Sequence, residues 1–206
     1  ICDIGPIDPD YIPGHGHADT LSFELSILNQ RVFVNSGISL YEESEKRSYQ
    51  RKTRAHNTVE INKLDSSETW KSFRIARRAY PEEVKVRIDS IEASHNGYAR
   101  IKSNIRHKRK WKAHEKQIII EDNVSGSFKS ACAFFHLHPE IRVTEETGGS
   151  LLLKHKDFTI VRFLTPNHKI IIEDSLWYPQ FGTEIPNKTL KIEFKGNELR
   201  SLIELT

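Results

Sequence analysis

Apolar and polar residues alternate over short stretches of this chain, and turn-forming residues separate the stretches. The clearest stretch is residues 21–28, in which every second residue, starting with the first, is large and apolar. A period of two is typical of a strand that buries one face. Asn29 and Gln30 then predict a turn, and residues 31–35 predict the partner strand of a hairpin.

The same pattern predicts strands through the rest of the chain. Turn residues such as Asn96-Gly97 and Gly148-Gly149 separate these strands. The further strands are predicted at residues 58–62, 73–79, 84–88, 99–103, 116–121, 131–137, 150–154, 159–164, 169–172, 190–194 and 201–205.

Two segments lack the strand pattern. Residues 42–54 are polar and predict one helical turn or a long loop, and residues 177–186 are rich in Pro and Gly and predict a loop. No segment shows the sustained apolar period of an amphipathic helix. We therefore predict an all-β fold, a large antiparallel β-sandwich of stacked sheets, formed by a single domain over residues 1–206.

Composition narrows the class of partner. The 31 Lys and Arg nearly balance the 28 Asp and Glu, for a net charge of +3. Since the basic residues also lack regular aromatic interleaving, no nucleic-acid partner is expected. No apolar run approaches the ~18 residues of a membrane span, so no membrane-spanning segment is expected. Because the chain begins at Ile1 and contains no Met, we expect it to be a fragment of a longer protein.

Two short motifs concentrate groups that can bind a metal or transfer a proton. His15, His17 and Asp19 are spaced so that an extended segment would place them on one side. His56 and Asn57 form the second motif. Imidazole nitrogens bind zinc at ~2.0–2.1 Å, often with a carboxylate, and histidine is also a natural general acid or base. If the motifs meet in space they predict a functional site; otherwise they are surface histidines in loops.

Basic residues cluster on both sides of His56. Arg47, Arg51 and Arg54 precede it, and Arg74 follows it. Because a guanidinium group can bind a carboxylate or a sulfate with two parallel hydrogen bonds, these residues suit an anionic ligand. Solvated strand faces explain the same pattern equally well.

Two further clusters have less specific patterns. The basic residues 106–110 suit an anionic ligand or a solvated strand face. His136 and His138 follow an apolar run and precede Pro139, so a structural role is favoured for this pair.

Taken together, the motifs resemble the heparinase II/III-like family. The pieces that carry the resemblance include PGHGHADT at residues 13–20, VNSG at 34–37, AHNTV at 55–59, HKRKW at 107–111 and FHLHP at 135–139. The resemblance covers nearly the whole chain and is densest over the first 80 residues.

The resemblance implies a polysaccharide lyase that cleaves uronic-acid-containing glycans by β-elimination. Members have an N-terminal α/α toroid followed by a β-sandwich, and this chain looks like the sandwich alone. The implied partners are an anionic polysaccharide substrate and the chain's own toroid domain. Because a catalytic Tyr lies on the toroid, the isolated sandwich is expected to be inactive. Related lyases imply a periplasmic or secreted location.

The resemblance also implies roles for individual residues. His15 corresponds to the catalytic histidine, and His17 and His56 correspond to zinc ligands. Asn35 occupies the position of an acidic zinc ligand, and Asp19 is the neighbouring carboxylate that could compensate. The expected substrate-binding residues are Asn57, Arg51, Arg54 and Arg74.

Two other classes of protein fit parts of the pattern. A cupin-like metal enzyme also uses a His-x-His pair, but Glu24 lies too far beyond His17 for the usual cupin spacing. A non-catalytic carbohydrate-binding sandwich would need a row of exposed aromatic residues and no titratable cluster. The metal content of the protein separates these alternatives from a zinc-containing lyase.

Overall fold

The computed structural model describes residues 1–101, 104–156 and 158–206. This part of the chain contains sixteen strands, one α-helix at Glu45–Gln50 (α1) and one 3₁₀ helix at Thr53–Ala55. None of the helices in this part is long or apolar enough to cross a membrane. The strands, in chain order, are β1 Leu25–Ile27, β2 Gln30–Phe33, β3 Val59–Ile61, β4 Glu68–Trp70, β5 Arg74–Ala76, β6 Pro81–Val86, β7 Ser90–His95, β8 Arg106–His114, β9 Gln117–Ser125, β10 Ala131–His136, β11 Ile141–Glu145, β12 Leu151–His155, β13 Phe158–Leu164, β14 Ile170–Trp177, β15 Ile185–Phe194 and β16 Glu198–Leu205.

Most strands belong to two antiparallel sheets. The larger sheet has eight strands in the order β11-β12-β13-β16-β9-β8-β7-β6, and the smaller has four in the order β14-β15-β10-β3. Two short hairpins, β1-β2 and β4-β5, complete the structure. This architecture confirms the predicted all-β fold with stacked antiparallel sheets.

A cluster of aromatic side chains fills the space between the sheets. Phe135 on β10 of the smaller sheet meets Phe163 on β13 of the larger sheet at a ring-centroid distance of 5.0 Å. Phe33 contacts both rings, and Phe23 contacts Phe33 and Phe135. Because each such pair adds about 0.5–1.5 kcal/mol beyond simple burial, the cluster is a main source of cohesion between the sheets.

The predicted first hairpin is present, with a shorter first strand than expected. Leu28 and Asn29 have φ values of 50° and 63°, as a tight two-residue hairpin turn requires. The strand begins at Leu25 because Leu21, with φ of 63°, lies in a turn. The period-two pattern in the sequence therefore begins at residue 21, before the strand itself begins at Leu25.

Several strands were missed or misplaced by the pattern. β4, β7, β8 and β11 were not predicted, and β8 shows why. Its buried side chains include His107 and Arg109, so hydropathy does not reveal its alternation. At the predicted strand 99–103, residues 99–101 form a turn, and residues 102 and 103 lie outside the described part.

The two segments that lacked the strand pattern are local structures at the edge of the sandwich. α1 begins after Ser44, whose Oγ accepts a hydrogen bond from the Arg47 N–H at 3.1 Å. The loop predicted at residues 177–186 is shorter, because β14 ends at Trp177 and β15 begins at Ile185.

Gly37 is a position where the fold tolerates only glycine. Its φ is +81°, and a Cβ there would overlap the carbonyl oxygen of Tyr178. We expect Gly37→Ala to lower the free energy of unfolding by about 1–3 kcal/mol through this overlap alone. Gly149→Ala is the matched control, since φ is +85° there but the space is open. Urea unfolding that shows equal losses for both variants would contradict the role of the Tyr178 contact.

Candidate functional site

The motif at residues 13–20 forms an irregular loop, so the predicted extended segment is wrong. Arg51 fixes the loop from below: its Nε and Nη2 donate to the Gly16 carbonyl at 3.1 and 2.8 Å, and its Nη1 donates to the Lys71 carbonyl at 3.0 Å. The Arg51 side chain is fully buried. This corrects its predicted substrate contact, because the guanidinium group is used to hold backbone carbonyls.

The loop nevertheless brings the two histidine motifs together. His17, Asp19 and His56 each offer a ligand atom, and these atoms all lie within 4.8 Å of one another. The rings of His17 and His56 are 5.2 Å apart. Tetrahedral zinc with ~2.1 Å bonds needs its ligand atoms about 3.4 Å apart, so small side-chain rotations would close this group around an ion.

His56 provides an independent indication that the group fits a metal. Its side chain is fully buried, and within the described part of the chain neither ring nitrogen makes a well-aligned hydrogen bond, although the Gln50 backbone is near. A buried polar group without a partner costs about 1–3 kcal/mol. Burial, followed by the charges of His17 and His136, holds the pKa of His56 well below its usual value. The ring is therefore in the neutral form that binds metals.

Burial also shifts the pKa values of His17 and Asp19. Burial and then the Arg47 charge lower the pKa of His17 to about 3. The Arg47 Nη1 lies 3.3 Å from the His17 Nε2, on the side away from solvent. Burial and then the Asp3 charge raise the pKa of Asp19 to about 7. His17, with its lowered pKa, is therefore in the neutral form that binds metals.

His15 lies at the exposed rim of this group, among aromatic side chains. Its ring makes edge contacts with Tyr41 and Phe73, at centroid distances of 5.3 and 5.6 Å. Phe181 contacts Tyr41 at 4.7 Å and extends the aromatic rim. His15 therefore has the accessibility that a proton-transfer group needs, whereas His17 and His56 are directed towards the interior.

The other two arginines predicted to bind substrate, Arg74 and Arg54, lie in different parts of the structure. Arg74 is exposed and lines an open groove of about 620 Å³, together with Tyr11, Lys71 and Phe73. Since Phe73 also contacts His15, this groove leads to the histidine rim. Arg54 lines a different cavity. The prediction that Arg51, Arg54 and Arg74 bind substrate at one place is therefore wrong.

Asn57 and Asn35 have structural contacts that replace the predicted ones. The Asn57 amide donates to the carbonyls of Phe23 and Val34 at 2.7 and 3.1 Å and accepts from the His136 N–H at 2.6 Å. It is buried and does not face a substrate. The Asn35 Oδ1 accepts from the Gly37 N–H at 3.0 Å, which closes a turn. The carboxylate beside the histidines is therefore that of Asp19.

The sequence did not reveal a buried ion pair beneath the site. Arg109 binds Asp122 through Nε and Nη2 at 2.7 and 3.0 Å, and both side chains are fully buried. The Arg109 Nη1 also donates to the carbonyls of Leu21 and Asn57 at 2.8 and 2.5 Å. Those carbonyls belong to the two loops that carry Asp19 and His56, so Arg109 joins the loops.

Two buried histidines continue this network. The Gly97 N–H donates to the His95 Nδ1 at 3.1 Å, so the His95 Nε2 carries the proton directed at the His107 Nδ1, 3.2 Å away. The His107 Nε2 then donates to Asp122 at 2.7 Å. Burial lowers the pKa of both rings, which agrees with two neutral histidines in fixed tautomers.

Comparison with known protein families agrees with this geometry. A family model described as heparinase II/III-like, C-terminal, matches residues 1–205. The fold and the family match thus define a β-sandwich domain from a family of polysaccharide lyases. The chain belongs to the heparinase II/III-like family, which confirms the resemblance and removes the cupin-like alternative. The comparison with curated proteins finds no match.

Solved structures show the same fold. The heparan sulfate lyase HepC from Pedobacter heparinus gives a TM-score of 0.74 at 15% identity, over 97% of this chain and 31% of that one. A heparinase III structure with methylated lysines gives a TM-score of 0.75 at 17% identity, over 100% of this chain and 32% of that one. The chain thus spans less than a third of the length of either structure.

Proposed function

We propose that this chain is the C-terminal domain of a lyase that cleaves uronic-acid-containing glycans by β-elimination, with His15 in proton transfer. The observation that carries the proposal is the position of His15. It is exposed at an aromatic rim, two residues from His17 of a largely buried group that fits a metal, in a chain that belongs to a lyase family. We also propose that an α/α toroid domain completes the site and that the protein is periplasmic or secreted.

The exposed residues around the site take the roles that require contact with the substrate. His15 accepts the proton from the carbon next to the uronate carboxylate or donates a proton to the departing glycosidic oxygen, because an imidazole can act as a general base or a general acid. Arg74 and Lys71 in the adjoining groove bind carboxylate or sulfate groups of the glycan. Positive charge near the carboxylate favours the enolate-like intermediate that β-elimination requires.

The structural residues beneath His15 keep the rim in place. Arg51 holds the carbonyl of Gly16, which lies between His15 and His17. Zinc, when bound by His17, Asp19 and His56, would supply a fixed positive charge and a cross-link between the two loops. Asn57 and Arg109 tie the same loops to the core of the sandwich.

Cleavage of defined polymers tests the proposed substrate class. We would incubate the full-length protein with heparan sulfate, other uronate polymers and dextran, and follow chain length by size-exclusion chromatography. We expect at least one uronate polymer to be shortened, and neutral dextran to be unchanged. If the protein binds uronate polymers and shortens none of them, it is a carbohydrate-binding sandwich instead.

Zinc binding is expected to stabilise the protein. At about 100 times its dissociation constant, Zn²⁺ should raise the free energy of unfolding by about 2.7 kcal/mol. His56→Ala should abolish this increase, because it removes a ligand whose two nitrogens are otherwise unused. His114→Ala, at an exposed position outside the group, should retain it. Thermal unfolding with and without Zn²⁺ measures the effect, and an equal zinc response in the His56→Ala variant would contradict the assigned ligand set.

A further inference from the structure

A second cavity lies on the outer face of the smaller sheet and has a volume of about 410 Å³. Its floor comes from strand residues whose neighbours face the core. Ala133 and Phe135 of β10 are core residues, so Cys132 and Phe134 point the opposite way, because side chains alternate along a strand. The strand residues that line the cavity are Glu60, Ala131, Cys132, Phe134, Lys191 and Glu193.

The guanidinium group of Arg54 lies over Phe134 at the floor of the cavity. Its guanidinium carbon lies 5.6 Å from the centre of the Phe134 ring. Its backbone carbonyl accepts from the His136 Nε2 at 3.1 Å, which fixes the 3₁₀ helix beneath it. Among the described residues, the guanidinium group itself has no hydrogen-bond or ion-pair partner. The five N–H donors of this half-buried guanidinium group are therefore free for a ligand in the cavity, as far as the described residues show.

The other charges around the cavity leave an excess of positive charge. Lys52 and Lys63, on the rim, also lack an ion-pair partner within the described part of the chain. Of the three acids that line the cavity, Glu193 pairs with Lys191 at 3.0 Å. The Asp65 Oδ1 accepts a hydrogen bond from the Thr53 N–H at 2.8 Å, and burial raises the pKa of Asp65.

Glu60 is the third acid, and burial makes its carboxyl group more costly to ionise. It is only 8% exposed, and burial raises its pKa despite the nearby Arg54 charge. Arg54, Lys52 and Lys63 therefore face two carboxyl groups, those of Glu60 and Asp65, whose burial makes ionisation more costly, and this balance suits the cavity to an anion.

We propose that this cavity is a second binding site, for an anionic sugar unit that bears sulfate or carboxylate groups. The fork of Arg54 matches the oxygens of either group, and Lys52 and Lys63 reach the rim as further cations. A volume of about 410 Å³ lies in the lower range of small-molecule sites, which corresponds to one or two sugar units. None of its lining residues belongs to the metal group or to the groove at Arg74. The choice of a sugar rests on the proposed function; the anion preference does not.

Calorimetric titration of the protein with a sulfated heparin disaccharide tests the site. We expect saturable binding, and we expect Arg54→Gln to weaken it by about 10-fold or more, because a charge-assisted paired hydrogen bond is lost. Arg162→Gln, at an exposed ion pair with Glu146, is the matched control. It should bind the disaccharide as the unchanged protein does.

Three results would overturn the proposal. They are unchanged binding by Arg54→Gln, an equal loss of binding by Arg162→Gln, and inorganic sulfate binding as tightly as the disaccharide, which would show a general anion site. Should Arg54→Gln unfold, the exposed changes Lys52→Gln and Lys63→Gln provide the same comparison. Disaccharide binding does not depend on cleavage, so a protein that binds at Arg54 but cleaves no polymer would retain this site and reject the lyase proposal.

Discussion

Replacing His15 with alanine is expected to lower the rate of glycan cleavage by about 10²–10⁴-fold, the usual contribution of a general acid or base. The imidazole lies at an accessible rim, and the residues that support the loop are elsewhere, so the fold should survive the change. Initial rates of the full-length protein on the polymer found by screening measure the effect.

The matched control is His114→Ala. His114 ends β8 at an exposed position outside the metal group, so its loss should leave the rate within experimental error. Equal rates for His15→Ala and the unchanged protein would remove His15 from the chemistry. Equal losses in both variants would point to a general effect on folding.

Replacing Asp122 with alanine is expected to lower the free energy of unfolding by about 3–5 kcal/mol. The change leaves the fully buried Arg109 guanidinium without its counter-charge and removes the acceptor of the His107 bond. Urea unfolding measures the loss. Because Arg109 also joins the loops of Asp19 and His56, zinc affinity should fall in the same variant.

Glu121→Ala is the control next along the strand. Glu121 pairs with Lys112 at 2.9 Å on the outer face, where both side chains are about a third exposed. Exposed pairs contribute about 0–1 kcal/mol, so this variant should be nearly as stable as the unchanged protein. A loss equal to that of Asp122→Ala would show that the buried pair has no special role.

The buried pair also predicts a dependence of stability on pH. Burial alone would raise the pKa of Asp122, but the Arg109 charge and the His107 bond outweigh it and lower the pKa to about 2. Its stabilising contribution is complete above the ordinary carboxyl pKa of about 3.9 and disappears as the pH falls towards the native value. In the Asp122→Ala variant, this part of the acid sensitivity should be absent.

The sequence predicted the fold class from local signals, whereas only the family resemblance implied that the two histidine motifs meet. Period-two alternation marked strands with one buried face, such as β16, and a continuous apolar run marked β10, which is buried throughout. It failed at β8, where the inward residues are His107, Arg109 and Trp111. A strand that buries an ion pair has no apolar pattern to recognise until its partner strand is known.

Site residues could be predicted only as far as their type determines their role. His17 and His56 meet as expected, and the carboxylate beside them is Asp19. Arg51 and Asn57, predicted at the substrate, hold backbone carbonyls instead. An arginine or an asparagine in a motif serves a ligand or the chain's own backbone with the same donors, and only the three-dimensional contacts distinguish the two.

The chemical form of the released fragments tests the proposed reaction most directly. β-elimination leaves a carbon–carbon double bond in the uronate at the new chain end, so the two fragments together gain no water. We expect mass spectrometry of the full-length protein's products to give fragment masses that sum to that of the uncleaved chain, with ultraviolet absorbance from the double bond. Fragments that together gain one water molecule, without this absorbance, would show hydrolysis and contradict a lyase.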